Sequence, residues 1–253
     1  MNFFNQGLPL GRWFRITVVI HWTFLLYAAN ELFLARDPNI PLWFDAFYIT
    51  LLFGTVLLHE FGHALSCRAV GGEAYHIVLW PLGGIAFVQP PMKAWAWLVT
   101  TVCGPLVNAL LWPIFWYLTF HWPFGVPHDP NGAYVCMIVR AGCGLLYSIN
   151  RGLLLFNLIP AYPMDGGRML QEVLWLIVGY ARSMKIAGMV GTVAGGGLIV
   201  LGLGLYTIRI PAVNFTLGAR LDPLLAVIGL LCVMQSFAIY QRANQVQGWQ
   251  RNP

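Results

Sequence analysis

The sequence predicts an all-α polytopic membrane protein of about six transmembrane helices, with one short membrane-associated β-hairpin. Three observations carry this. Of the 253 residues, 58% are hydrophobic and only 9% charged, whereas a soluble domain carries about a quarter charged residues. The apolar residues gather into runs long enough to cross a bilayer, which takes about 20 residues of helix. One stretch, residues 74–90, reads instead as paired strands too short to span.

The expected spans are residues 13–35, 44–70, 94–120, 134–158, 185–207 and 222–241. Arg12 and Arg15 before the first run superficially suit a signal peptide. No A-x-A site follows and the run reaches spanning length, so it reads as the first helix. Between the second and third spans, Ile77–Trp80 and Ile85–Val88 flank Pro81-Leu82-Gly83-Gly84, a hairpin pattern. An open sheet edge cannot face lipid, so the hairpin is expected in the interface or against the helices. Residues 121–132, with Pro123, Pro127, Pro130 and Gly132, read as a loop. The glycines from Gly195 to Gly204 suit close helix packing rather than phosphate binding. No repeat or soluble domain is expected: one membrane-embedded domain over 1–253, with its core at 44–180.

The 14 Lys and Arg are scattered, so the net charge of +5 speaks for membrane orientation and against nucleic acid. With the N-terminus inside, nine of them (Arg12, Arg15, Arg68, Lys93, Arg168, Arg182, Lys185, Arg242, Arg251) are inner. Three (Arg36, Arg209, Arg220) are outer, which predicts a cell-membrane protein with both termini cytoplasmic. The 11 Trp and 10 Tyr suit interfacial belts. Five cysteines without paired spacing read as small packing residues.

The strongest chemical signal is His59-Glu60-Phe61-Gly62-His63. On a helix, His59 and His63 stand one turn apart on one face and can ligate one metal, zinc being the usual ion. Glu60 lies about 100° round the helix, within reach of a metal-associated water as general base. The motif follows twelve uncharged residues, Phe47 to Leu58. Ionisable groups inside a span cost about 3 kcal/mol each on insertion scales and are seldom idle.

Two histidines leave a catalytic zinc one protein ligand short. The stretch Phe156 to Arg168 offers Asp165, after two prolines that break the fourth span and before Gly166 and Gly167. Asp165 taken alone serves equally as an N-cap for a helix from Arg168 to Gly179. The fourth span and the HExxH helix are expected to end at the same face, which makes a shared site possible.

With these residues in view, the chain resembles the site-2 protease family, in its compact branch similar to the sporulation protease that processes a sigma-factor precursor. The resemblance rests on HEFGH, the Gly-rich hairpin, Gly104-Pro105-Leu106-Val107-Asn108, and Asn157 to Asp165, which follows NxxPxxPxDG. It implies an intramembrane zinc metalloprotease hydrolysing peptide bonds in or near transmembrane segments. One Zn²⁺ per chain would be held by His59, His63 and Asp165, with Glu60 as general base and acid. Asn157 would stabilise the tetrahedral intermediate. The implied partners are the lipid bilayer and a single-span membrane-protein substrate: an anti-sigma factor, a sigma precursor or a signal-peptide remnant. The PDZ and CBS domains common in the family are not expected here.

Asn108 reads as a helix-packing hydrogen bond as readily as a catalytic group. His21 is expected to hydrogen-bond a neighbouring helix rather than line a cavity. Arg140 and Arg151 share a face of the fourth span and are expected to snorkel or to pair with acidic groups such as Glu31. The hairpin edge is expected to take an unwound substrate by strand addition. The rival readings are a membrane metal transporter and a pseudoprotease that binds helices without cutting them; an intact Glu60 speaks against the second.

Overall fold

The computed structural model describes residues 7–34, 40–81, 83–211, 215–217 and 221–251. Arg36 and Arg220, counted above among the outer cations, lie outside the described residues. The chain forms two compact units, Met1–Met92 with Val102–Leu155, and Lys93–Thr101 with Phe156–Pro253.

Among the described residues, five helices are long and apolar enough to cross a membrane: α2 (Leu42–Ala69), α3 (Ala94–Phe120), α4 (Pro130–Asn157), α6 (Tyr180–Gly202) and α7 (Pro223–Arg251). They answer to the second through sixth expected spans. The chain is thus a multi-pass membrane protein, mainly helical, with a four-stranded sheet and a short two-stranded pair among the described residues.

The first expected span is not a single helix. Residues 13–35 divide into the end of β1 (Gly7–Trp13), β2 (Ile16–His21), α1 (Trp22–Ala29) and a π-helical turn at Asn30–Leu34. The physical reason is pairing. Ile16, Val18 and Val19 are β-branched and buried, and β2 runs parallel to β3 (Glu73–Trp80), with Thr17 opposite His76 and Ile20 opposite Leu79. Hydropathy alone does not separate such a run from a helix; a partner strand does.

The expected hairpin is present as β3 and β4 (Gly83–Gln89), antiparallel, with Ile77 opposite Ala86 and Val78 opposite Ile85. It belongs to a four-stranded sheet ordered β1-β2-β3-β4, and among the described residues one side of β4 has no partner strand. The sheet packs on α2: Ile16, Val18, Ile77 and Leu79 share one apolar cluster with Phe53, Val56, Ala64 and Cys67. That packing agrees with the expectation that the hairpin lie against the helices.

Arg68, in the last turn of α2, fastens this assembly. Its guanidinium donates to the carbonyls of Phe14, Arg15 and Ala74. Phe14 and Arg15 form the two-residue β1–β2 turn with φ of 51° and 61°, a conformation unfavourable for residues with side chains. The arginine thus anchors that turn to the end of the helix and to β3.

His21 caps α1 as a local device. Its Nδ1 sits 2.7 Å from Thr23 Oγ1 and accepts from the Thr23 N–H at 3.4 Å. Arg140 and Arg151 meet aromatic faces, with guanidinium carbons 6.0 Å from the Trp122 ring and 5.1 Å from the Tyr147 ring, a cation–π arrangement.

In the second unit, α6 and α7 form the closest helix pair. A side chain at Gly188, Gly195 or Gly202 would meet the α7 backbone, so the two backbones touch as expected of a small-residue stripe. Beside them lies α5 (Asp165–Val178). A short pair of strands, β5 (Ile208–Ile210) and β6 (Phe215–Leu217), joins α6 to α7.

Candidate metal centre

Within the first unit, the HExxH residues occupy one turn of α2, and His59, Glu60 and His63 are all buried. The two imidazoles converge: His59 Nε2 and His63 Nε2 stand 3.2 Å apart. Two nitrogens each about 2.0–2.1 Å from one tetrahedral zinc are separated by about 3.3 Å. The spacing therefore fits a shared zinc ion.

The surroundings are cut to the same purpose. A Cβ on Gly104 would overlap the His63 ring, and one on Gly62 would strike the Cys103 carbonyl. α3 can therefore approach α2 at the metal-binding turn only because both positions are glycine. On its other ring nitrogen, His59 Nδ1 meets Asn108 Oδ1 at 2.6 Å. Asn108 Nδ2 in turn donates to Asn150 Oδ1 at 3.0 Å, and Asn150 Nδ2 donates to the Leu146 carbonyl at 2.8 Å. Asn108 and Asn150 are fully buried. The sequence marked Asn108 only as a polar residue in a span and gave no sign of Asn150. Nothing in a single sequence links positions 42 residues apart.

Glu60 turns away from this pair. Its Oε2 accepts the Ala86 N–H of β4 at 2.8 Å, and a Cβ at Gly84 would overlap its side chain. The Gly-rich start of β4 thus gives the carboxylate room and a fixed donor. The carboxylate thus stands beside two converging imidazoles yet is bonded to a strand rather than to them.

Within the second unit, Asp165 is buried and is the first residue of α5. The N-cap position belongs to Met164, which makes no side-chain capping bond. Asp165 is therefore not the cap; its carboxylate sits in the first turn, where the helix dipole favours an anion.

The chain before it folds back tightly. A Cβ on Gly166 would overlap the Leu158 and Ile159 carbonyls, and one on Gly167 would come within 2.7 Å of the Ala161 backbone. The Tyr162 N–H donates to Ser236 Oγ on α7 at 3.0 Å, and its phenol donates to Gln171 Oε1. Burial first, and then the Glu172 carboxylate, push the Tyr162 phenol far above its ordinary range, so it remains a donor. Thr101 donates to Glu172 Oε1 at 2.8 Å, tying the start of α3 to α5. Asn157 is the last residue of α4 and half-buried.

Comparison with known proteins agrees with this chemistry. The model of peptidase family M50 matches residues 119–201. A protein of Methanocaldococcus jannaschii named as a zinc metalloprotease is 32% identical over 209 residues, covering 81% of this chain and 56% of that protein. The chain spans about half the length of the curated relatives it matches. A solved structure, the site-2 protease from Methanocaldococcus jannaschii, follows it over 94% of both chains, with 26% identity and a TM-score of 0.54. A zinc metalloprotease relative 32% identical over 81% of this chain, together with the matching family model and the fold of a solved site-2 protease, makes this protein a member of peptidase family M50, the site-2 proteases.

Proposed function

We propose that the protein is an intramembrane zinc endopeptidase that hydrolyses peptide bonds in or near the transmembrane segments of other membrane proteins. The observation that carries this is the convergence of His59 and His63 at 3.2 Å with the Glu60 carboxylate beside them. One zinc per chain is assigned to His59, His63 and Asp165. This donor set, two imidazoles and a carboxylate, is the His₂-carboxylate set of metallopeptidases. When bound, zinc polarises the scissile carbonyl and makes water a nucleophile at neutral pH.

The chain's own residues do the rest. Glu60 accepts a proton from the attacking water and returns one to the leaving nitrogen. Asn157 donates to the oxyanion as it develops. Asn108 holds His59 by its outer nitrogen. A transmembrane helix must unwind to expose a peptide bond, and the side of β4 away from β3, which carries no partner strand among the described residues, offers it main-chain hydrogen bonds in extended form. The substrate class is therefore a single-span membrane protein, with an anti-sigma factor, a sigma precursor or a signal-peptide remnant as the candidates. Reactant and enzyme share the lipid bilayer; nucleic acid plays no part.

The protein is placed in the cell membrane with both ends cytoplasmic. Arg68 bonds the β1–β2 turn to the end of α2, and Phe24 of α1 packs on Phe53 at the middle of α2, 4.1 Å between rings. On this reading the segment before α2, namely β2 with α1 and the π-helical turn, supplies the sixth crossing that ends on one side require beside the five long helices. The test pairs cleavage of a purified single-span substrate in detergent with zinc flux in proteoliposomes. Cleavage without flux supports the peptidase; flux without cleavage rejects it for a metal transporter.

A further inference from the structure

We infer that Asn150 is a positioning residue of the metal centre, acting on His59 through Asn108 to set the imidazole tautomer so that Nε2 presents its lone pair toward the metal. This rests on the reading of His59 as a zinc ligand.

The argument is one of donor and acceptor polarity. A backbone carbonyl only accepts, so the Asn150 group facing the Leu146 carbonyl must be its amide Nδ2. That leaves Asn150 Oδ1 facing Asn108, which must then present its own Nδ2. The Asn108 Oδ1 is left against His59 Nδ1 at 2.6 Å. An amide oxygen only accepts, so Nδ1 must carry the proton. A neutral imidazole protonated at Nδ1 has its lone pair on Nε2, the atom that stands 3.2 Å from His63 Nε2. A fixed carbonyl in α4 thereby sets the tautomer of a ligand on α2, through two side chains that are fully buried. Reversal of either amide would set like poles together away from water, so the chain has one stable sense.

A buried asparagine can also serve merely as glue between helices, and the experiment separates the two roles. An aspartate at 108 presents an acceptor on either oxygen and needs no orienting partner. N150L should therefore weaken zinc binding in the wild-type background and barely affect it in the N108D background. Zinc dissociation constants are measured on purified apoprotein in detergent by competition with a chromophoric chelator. Thermal unfolding of each variant is recorded alongside. The expected loss for N150L is about 10-fold or more, the usual range for a lost outer partner of a metal-binding histidine. In the N108D background the loss should fall below about threefold, a coupling that a double-mutant cycle reads directly. N150A, which removes the same acceptor with a smaller side chain, is carried through the same cycle in case N150L fails to fold.

Equal losses in both backgrounds overturn the proposal in favour of helix glue, as does wild-type affinity in N150L and N150A. A wild-type protein that binds no zinc sinks instead the reading of His59 as a ligand, and is recognised before any variant is measured.

Discussion

The Glu60 carboxylate lies against Gly84 and accepts the Ala86 amide proton at 2.8 Å, which joins the proposed base to the strand proposed to hold substrate. Glu60→Gln keeps an oxygen able to accept that same bond, so the strand contact and the metal are retained. It cannot take a proton from water. Cleavage should fall by about 10²–10⁴-fold, with zinc content unchanged in the same sample. Loss of zinc would make Glu60 a structural residue, and near-normal cleavage would end the peptidase mechanism.

The third ligand is open to a direct test. Purified protein should hold about one zinc, and His59→Ala, His63→Ala and Asp165→Ala should each lower that occupancy. Met164 rather than Asp165 occupies the cap position, so Asp165→Ala should leave α5 folded. Full zinc retention in Asp165→Ala, measured by metal analysis, would remove it from the ligand set.

Two glycine variants should fail in different ways. A methyl at Gly104 overlaps the His63 ring, whereas one at Gly84 overlaps the Glu60 side chain. Gly104→Ala should weaken zinc binding. Gly84→Ala should keep zinc and lose turnover by about 10²-fold, the scale of a misplaced catalytic group. Zinc titration and cleavage run on both proteins check the split. Equal zinc affinity in Gly104→Ala would mean that α3 yields rather than the imidazole.

Strand addition predicts a directional effect of proline on β4. The Ala86 N–H points away from β3, and main-chain donors alternate along a strand, so the Val88 N–H points the same way. Val88→Pro removes that outward donor while leaving the ladder to β3, a substitution an edge strand tolerates. Cleavage should drop with zinc and thermal stability retained. Unchanged turnover would leave the substrate without this edge.

Much of the centre was legible because its logic is local. His59, Glu60 and His63 lie within five residues, and helix geometry alone decides which share a face. Likewise Ile77 to Val88 announced a hairpin through β-branched runs around a Gly-rich turn. What escaped was non-local. The run at 13–35 has the hydropathy of a span, and its strand character follows from a β3 partner that hydropathy does not record. The line from Leu146 through Asn150 and Asn108 to His59 joins three helices, and each member alone looks like an ordinary polar residue in a membrane.

The parallel pairing of β2 with β3 also fixes an order of events in the protein's making. Thr17 is registered with His76, fifty-nine residues later in the chain. A ribosome delivers the first strand well before its neighbour exists, and α2 must be threaded into the lipid in between. During that interval Ile16 and Val18, fully buried in the finished molecule, lack the β3 residues that complete their cover. The sheet can close only once Glu73–Trp80 has emerged beside them. Correct biogenesis therefore depends on the leading segment being left slack until translation has passed β3. A fusion partner that folds early and holds that segment away from the membrane should trap the chain with its helices inserted and its sheet unmade.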